Sequence, residues 1–154
     1  MNLLNALWFS VFAIAISIED LRNFRISNPL LGLLFLMLLT KSLVVGTLFV
    51  NAFSGLIFLL IFTILHLLGK FVSRDLAIGF GDVKLISVLT FGYVDLGFRS
   101  LEIFFIALWL ALFVQISLEY MHKRKFSSRI AMAPSIFLAT ALYLYAPLGL
   151  LLPQ

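Results

Sequence analysis

The sequence predicts an all-α membrane protein of about six transmembrane helices joined by short connectors, and three observations predict it. The 154 residues are 63% hydrophobic and only 12% charged. A water-facing domain typically carries ~45–50% apolar and ~25% charged residues, so this chain lacks the polar surface to cover itself in water. The mean hydropathy is +1.16. Finally, the apolar residues fall into six blocks, at 3–18, 28–45, 48–69, 82–98, 100–121 and 130–152, separated by short polar or charged clusters. A helical span needs ~20 mostly apolar residues, so the length is taken up by spans and connectors. The chain reads as one domain, 1–154, and any chemistry must sit within or beside the spans.

The first block, beginning MNLLNALWFS, has no basic leader region and no small-residue cleavage site, so it is expected to be a retained span and not a signal peptide. The second has twelve residues, Pro29–Thr40, before Lys41. At ~1.5 Å per residue these cover ~18 Å, so the helix must tilt past a snorkelling lysine or stop short. The third is a full-length apolar run. The fourth has only the ten residues Leu85–Val94 between Lys84 and Asp95, ~15 Å of a hydrocarbon core ~30 Å thick. To cross, it must draw charge toward the membrane. The fifth and sixth blocks are long enough to span.

Basic residues orient the spans, because Lys and Arg are retained on the cytoplasmic side. The connectors after spans one, three and five hold nine of them: Arg22, Arg25, Lys70, Arg74, Lys84, Lys123, Arg124, Lys125 and Arg129. Those after spans two and four hold two, Lys41 and Arg99. Both termini are therefore expected outside the cytoplasm, and the net charge of +4 reads as a topology signal with no nucleic-acid partner implied. The absence of cysteine excludes disulfides, zinc–thiolate sites and a thiol nucleophile.

Ionisable groups at membrane depth are costly and are functional candidates by default. Asp95 and Glu102, near Arg99 on the side away from the basic loops, read as turn charges. Glu119 is four residues before Lys123 and suits a helical ion pair, while Asp75 beside Arg74 reads as a solvated loop acid. Asp20 and Asp82 differ: one ends the first span in IEDLRNFRISNP, the other opens the fourth in IGFGDVKLI, and both reach the membrane on the cytoplasmic face. Proteolysis by activated water uses such a pair. One carboxylate takes a proton from water, the other stays neutral and donates to the scissile carbonyl, and two close acids do not ionise together. Gly79 and Gly81 lack Cβ and leave room for an extended substrate backbone. The same residues also suit a glycine turn with an aspartate at a helix start.

Together these segments resemble the type IV prepilin peptidases, membrane aspartic proteases that remove the basic leader of type IV pilins and pseudopilins at the cytoplasmic face. The family's D-x5-I-P-[ND] element is matched by Asp20, Ile26 and Asn28, its G-x-G-D-x-K element by Gly79, Gly81, Asp82 and Lys84, and its I-P-F-x-P element by Ile130 and Pro134 of IAMAP. Ser27 stands where the family has proline, and Ala131 and Met132 replace the Pro-Phe of the third element. These departures bear on efficiency or substrate preference more than on the reaction. The resemblance implies catalytic Asp20 and Asp82, with Gly79, Gly81, Lys84 and Asn28 positioning substrate. It implies no metal or other cofactor, and as partners a pilin or pseudopilin precursor and the lipid bilayer of a prokaryotic inner membrane. Larger members carry a cysteine-paired cytoplasmic insertion associated with methylation of the new N-terminus. This sequence resembles the short, peptidase-only branch found with tight-adherence (Flp-type) pili, and is similar in extent to archaeal preflagellin peptidases. Presenilin-type proteases share G-x-G-D but not the first element.

Other chemistries fit less well. Ser54 and His66 are twelve positions apart on one helix and read as a packing serine and a cavity or interface histidine, not a rhomboid dyad. Lys41 with Ser42 lies on the wrong side for a Ser-Lys peptidase, and His66 and His122 form no H-E-x-x-H. The competing class is a non-catalytic scaffold or small transporter whose polar residues line a pathway.

Overall fold

The structure is a computed structural model that describes residues 3–72, 78–123 and 130–146. Among them are six α-helices and no strand: α1 (Leu3–Asn23), α2 (Asn28–Val45), α3 (Leu48–Val72), α4 (Phe80–Tyr93), α5 (Phe98–Lys123) and α6 (Ala133–Tyr145). Asp75 and the side chains of the basic cluster at 122–125 lie outside the described residues.

Three helices, α2, α3 and α5, are long and apolar enough to cross a membrane. Large apolar side chains stand on their outer surfaces, with Phe49, Phe71, Trp109 and Phe113 each 71% exposed or more. An apolar surface of that kind suits lipid and not water. α1 overruns the apolar stretch 3–18 by more than a turn, so that Glu19, Asp20 and Arg22 all lie in its end. α4 has 14 residues, ~21 Å at ~1.5 Å per residue. It begins at Phe80 and ends at Tyr93, where the sequence predicts 82–98, because Val94 turns to extended backbone and leaves Asp95 in the connector. α6 covers 133–145 of the predicted 130–152; Ile130 to Met132 precede it as non-helical chain, and residues beyond 146 lie outside the described ones.

The chain divides into two compact units, residues 1–31 with 103–154, and residues 32–102. In the first, α1 packs on α6. Phe9 meets Phe137 edge-on at 5.7 Å, and Ile16, Ile136 and Ala139 are fully buried. Phe104 of α5 meets Tyr143 of α6 at 6.3 Å. Small residues, Ala107 and Ala111 on α5 and Ala133 and Ala139 on α6, occupy buried positions where helices without a hydrophobic drive pack closely.

The second unit is built on α3 and α4. Gly55 allows the close approach, since a Cβ there would lie 2.9 Å from Phe91 Cβ and 3.2 Å from the Ser87 carbonyl. Hydroxyls join the two helices: Ser87 donates to the Gly55 carbonyl at 2.9 Å, and Ser54 donates to the Val94 carbonyl at 2.9 Å and the Thr90 carbonyl at 3.4 Å. Ser54 is thus a packing serine. α2 does not stop at Lys41. The helix continues to Val45, and Lys41 Nζ donates to the Gly92 carbonyl at 3.3 Å while lying 4.7 Å over the Tyr93 ring. A cation at these last carbonyls favours the end of α4.

Candidate active site

α1 ends because Phe24 takes a left-handed conformation, φ 49°, while its N–H still bonds the Asp20 carbonyl at 2.8 Å. A non-glycine residue there costs roughly 1 kcal/mol. The reversal places Ser27 just ahead of α2, where its carbonyl accepts the Leu31 N–H at 3.1 Å. Serine is favoured at that N-cap position, and Pro29 falls in the first turn, where a missing N–H costs nothing. Asn28 is the exposed first residue of α2. Glu19, Asn23, Phe24, Arg25, Ile26, Ser27 and Asn28 line an open groove of about 680 Å³.

Asp20 itself is only 4% exposed, and its Oδ2 accepts the Ala133 N–H at 2.9 Å. Ala133 is the first residue of α6, and Pro134 after it has no N–H to offer. A carboxylate from α1 therefore satisfies the leading donor of α6 and sits at the positive end of that helix. Asp20 lies past the apolar stretch of α1. Burial pushes its carboxyl above the ordinary carboxylate range, and the Ala133 amide, by bonding the ionised form, offsets part of that rise.

Ala131 and Met132, the two departures within the third element of the resemblance, lie beside this contact. Met132 takes a right-handed helical conformation just before α6 and caps it with no side-chain bond. The Ala131 carbonyl accepts from Gln115 Nε2 on α5 at 2.6 Å, and Gln115 Oε1 accepts the Ser135 hydroxyl. Sequence reasoning assigned Gln115 no role. The one signal the sequence offers for it is a lone amide in the apolar run of α5.

Asp82 lies in the first turn of α4, in the second unit. Its N–H and that of Val83 both bond the Gly79 carbonyl, at 3.0 and 3.2 Å. Gly79 has φ −60° and ψ 137°, open to any residue, and Gly81 is helical. Neither glycine is needed for an unusual backbone angle. At Gly79 the missing Cβ matters instead, because it would lie 2.7 Å from Asp82 Oδ2. Lys84 Nζ lies 5.2 Å over the Phe80 ring. His66, 8% exposed, reaches from α3 to the strand-like entry of this turn, its Nδ1–H donating to the Ile78 carbonyl at 2.5 Å, with its ring 5.7 Å from Phe80. It is an interface histidine, and the interface is the start of the G-x-G-D segment.

The fold therefore groups Asp20 with Asn28, Ala131 and Pro134 in one unit, and Gly79, Gly81, Asp82 and Lys84 in the other. No protein-family model, curated protein or solved structure matches the chain.

Proposed function

We propose that the chain is a membrane aspartic endopeptidase of the prepilin type, cleaving the basic leader from a type IV pilin or pseudopilin precursor at the cytoplasmic face of a prokaryotic inner membrane. The bond between Asp20 and Ala133 carries this reading. It joins the first and third elements of the resemblance, 113 residues apart, around a buried acid at the polar end of an apolar helix. A buried acid whose titration is raised by burial is suited to general acid–base work.

In this reading Asp20 and Asp82 both take part in activating a water, one as base and the other as acid. The water attacks the scissile carbonyl as one carboxylate takes its proton and the neutral carboxyl gives its own to the carbonyl oxygen. On collapse the C–N bond breaks, the first acid passes the water proton to the departing amine of the mature chain, the second recovers its proton from the gem-diol, and the leader keeps the new carboxyl. Gly79 leaves Asp82 and an extended substrate free of a side chain, and Lys84, Gly81 and Asn28 position the chain to be cut. All six helices cross the bilayer, with both termini outside the cytoplasm. The precursor brings its own apolar helix into the bilayer, and its basic leader lies near acids such as Glu19. A peptidase-only member leaves the new amino terminus unmethylated.

The Asp20–Ala133 bond also favours a second reading, in which Asp20 only caps α6 in a non-catalytic scaffold or small transporter. Purified protein with a Flp-type prepilin in detergent separates the two. The peptidase shortens the precursor by the mass of its leader alone, and Asp20→Asn and Asp82→Asn each abolish this without loss of membrane insertion. No cleavage of any pilin-like precursor by folded protein refutes the peptidase.

A further inference from the structure

Gln115 is a half-buried amide in α5, within the apolar run Phe98–Met121. Polar side chains at such depth are costly unless bonded. Both ends of this amide are bonded: Nε2 donates to the Ala131 carbonyl at 2.6 Å and Oε1 accepts from Ser135 Oγ. Because a carbonyl only accepts, the Ala131 contact sets which end is the nitrogen. Ala131 and Ser135 are 2% and 1% exposed, and they bracket Ala133, whose N–H holds Asp20 Oδ2. Residues 130–132 precede α6, and the Met132–Ala133 peptide is held on one side by the Ile136 N–H on the Met132 carbonyl at 3.0 Å and on the other by Gln115 at the Ala131 carbonyl, so the direction of the Ala133 N–H depends on both.

We propose that Gln115 is a positioning residue for Asp20: it clamps Ala131 and Ser135 and thereby aims the Ala133 N–H at the Asp20 carboxylate. This rests on the peptidase reading only for its catalytic consequence. The position of Gln115 also accounts for the third element tolerating Ala131 and Met132, since the clamp uses the Ala131 backbone carbonyl and needs no particular side chain there.

The test is Gln115→Leu, an apolar residue of similar size suited to a membrane helix. The titration of Asp20 is followed by infrared spectroscopy of the carboxyl stretch in isotopically labelled protein, each protein measured against its own Asp20→Asn counterpart. Loss of a well-aimed N–H removes a bond to the ionised form, so Asp20 should titrate about half to one pH unit higher. The other acidic and basic groups on these elements, Glu19 and Arg22 on α1 and Arg99, Glu102, Glu119, His122 and Lys123 on α5, are unchanged, and α6 carries no charged residue. With a prepilin substrate, kcat should fall at least tenfold at constant KM. Gln115→Glu should regain activity relative to wild type as the pH falls, because its protonated carboxyl again donates to Ala131. An unmoved Asp20 titration in folded Gln115→Leu overturns the proposal. Should that variant not fold, Ser135→Ala, which removes one arm of the clamp, must raise the titration by a smaller step, and no rise overturns it equally. A wild-type protein that cleaves nothing refutes the peptidase, while the titration still decides whether Gln115 positions Asp20.

Discussion

Replacing Asp20 by alanine and by asparagine separates what its carboxylate does for the fold from what it does for chemistry. In Asp20→Ala the Ala133 N–H, on a residue with no exposed surface, loses its acceptor. A buried donor left unsatisfied costs ~1–3 kcal/mol, or a melting temperature lower by ~2–12 °C at ~2–4 °C per kcal/mol for a chain of this size. In Asp20→Asn the amide oxygen accepts the same bond without a charge. The pH dependence follows from the raised titration of Asp20. The native state binds this proton more tightly than the unfolded state does, so the stability it contributes is full below the unfolded value and is lost as pH rises through the native one. Asp20→Asn should therefore match or exceed wild type in stability at neutral pH, with the difference closing as pH falls into the carboxylate range. The assay is thermal unfolding in detergent across ~pH 4 to ~8, paired with cleavage of a prepilin by each protein. A peptidase gives inactive Asp20→Asn that is at least as stable as wild type. Full cleavage by Asp20→Asn would remove Asp20 from the chemistry and leave it a cap; Asp20→Asn as unstable as Asp20→Ala would refute the hydrogen-bond accounting.

Gly79→Ala should fold almost normally, within ~0.5 kcal/mol of wild type, since φ −60° and ψ 137° suit alanine. Its methyl group would displace Asp82 Oδ2 from 2.7 Å, and because small misplacements cost up to ~10²-fold, a cleavage assay should show a tenfold to hundredfold loss. His66→Leu removes the donor at the Ile78 carbonyl and should lower stability in denaturant titrations by ~1–3 kcal/mol, with cleavage slowed by a looser entry to α4. Gly55→Ala meets Phe91 Cβ and the Ser87 carbonyl, neither able to swing away, so overpacking should cost ~1–3 kcal/mol in the same titration. A reporter fused after Gln154 should be active only outside the cytoplasm; cytoplasmic activity would put the proposed site on the wrong side for a leader.

Hydropathy found the helices because apolar composition runs along the length of each, and all six predicted starts fall within three residues of the observed ones. It placed the end of α4 poorly, because that end is set by partners from other helices. The Ser54 hydroxyl takes the Val94 carbonyl and Lys41 takes that of Gly92, so a helix of 14 residues stops where its last carbonyls are met. No local pattern near Gly92 records a lysine 51 positions earlier. The candidate acids were legible for the opposite reason: a carboxylate beside an apolar run has few cheap explanations, whatever surrounds it. Their supports were hidden. Gln115 and His66 look like isolated polar residues until the fold brings each to a backbone carbonyl, at Ala131 and at Ile78. Both act on main chain, and each reaches an acid through one intervening segment, Gln115 through Ala133 to Asp20 and His66 through Ile78 to the turn that carries Asp82. Side chains that hold backbone do not read the side chain of the residue they hold: Gln115 meets Ala131 at its carbonyl, and Asp20 meets Ala133 at its N–H.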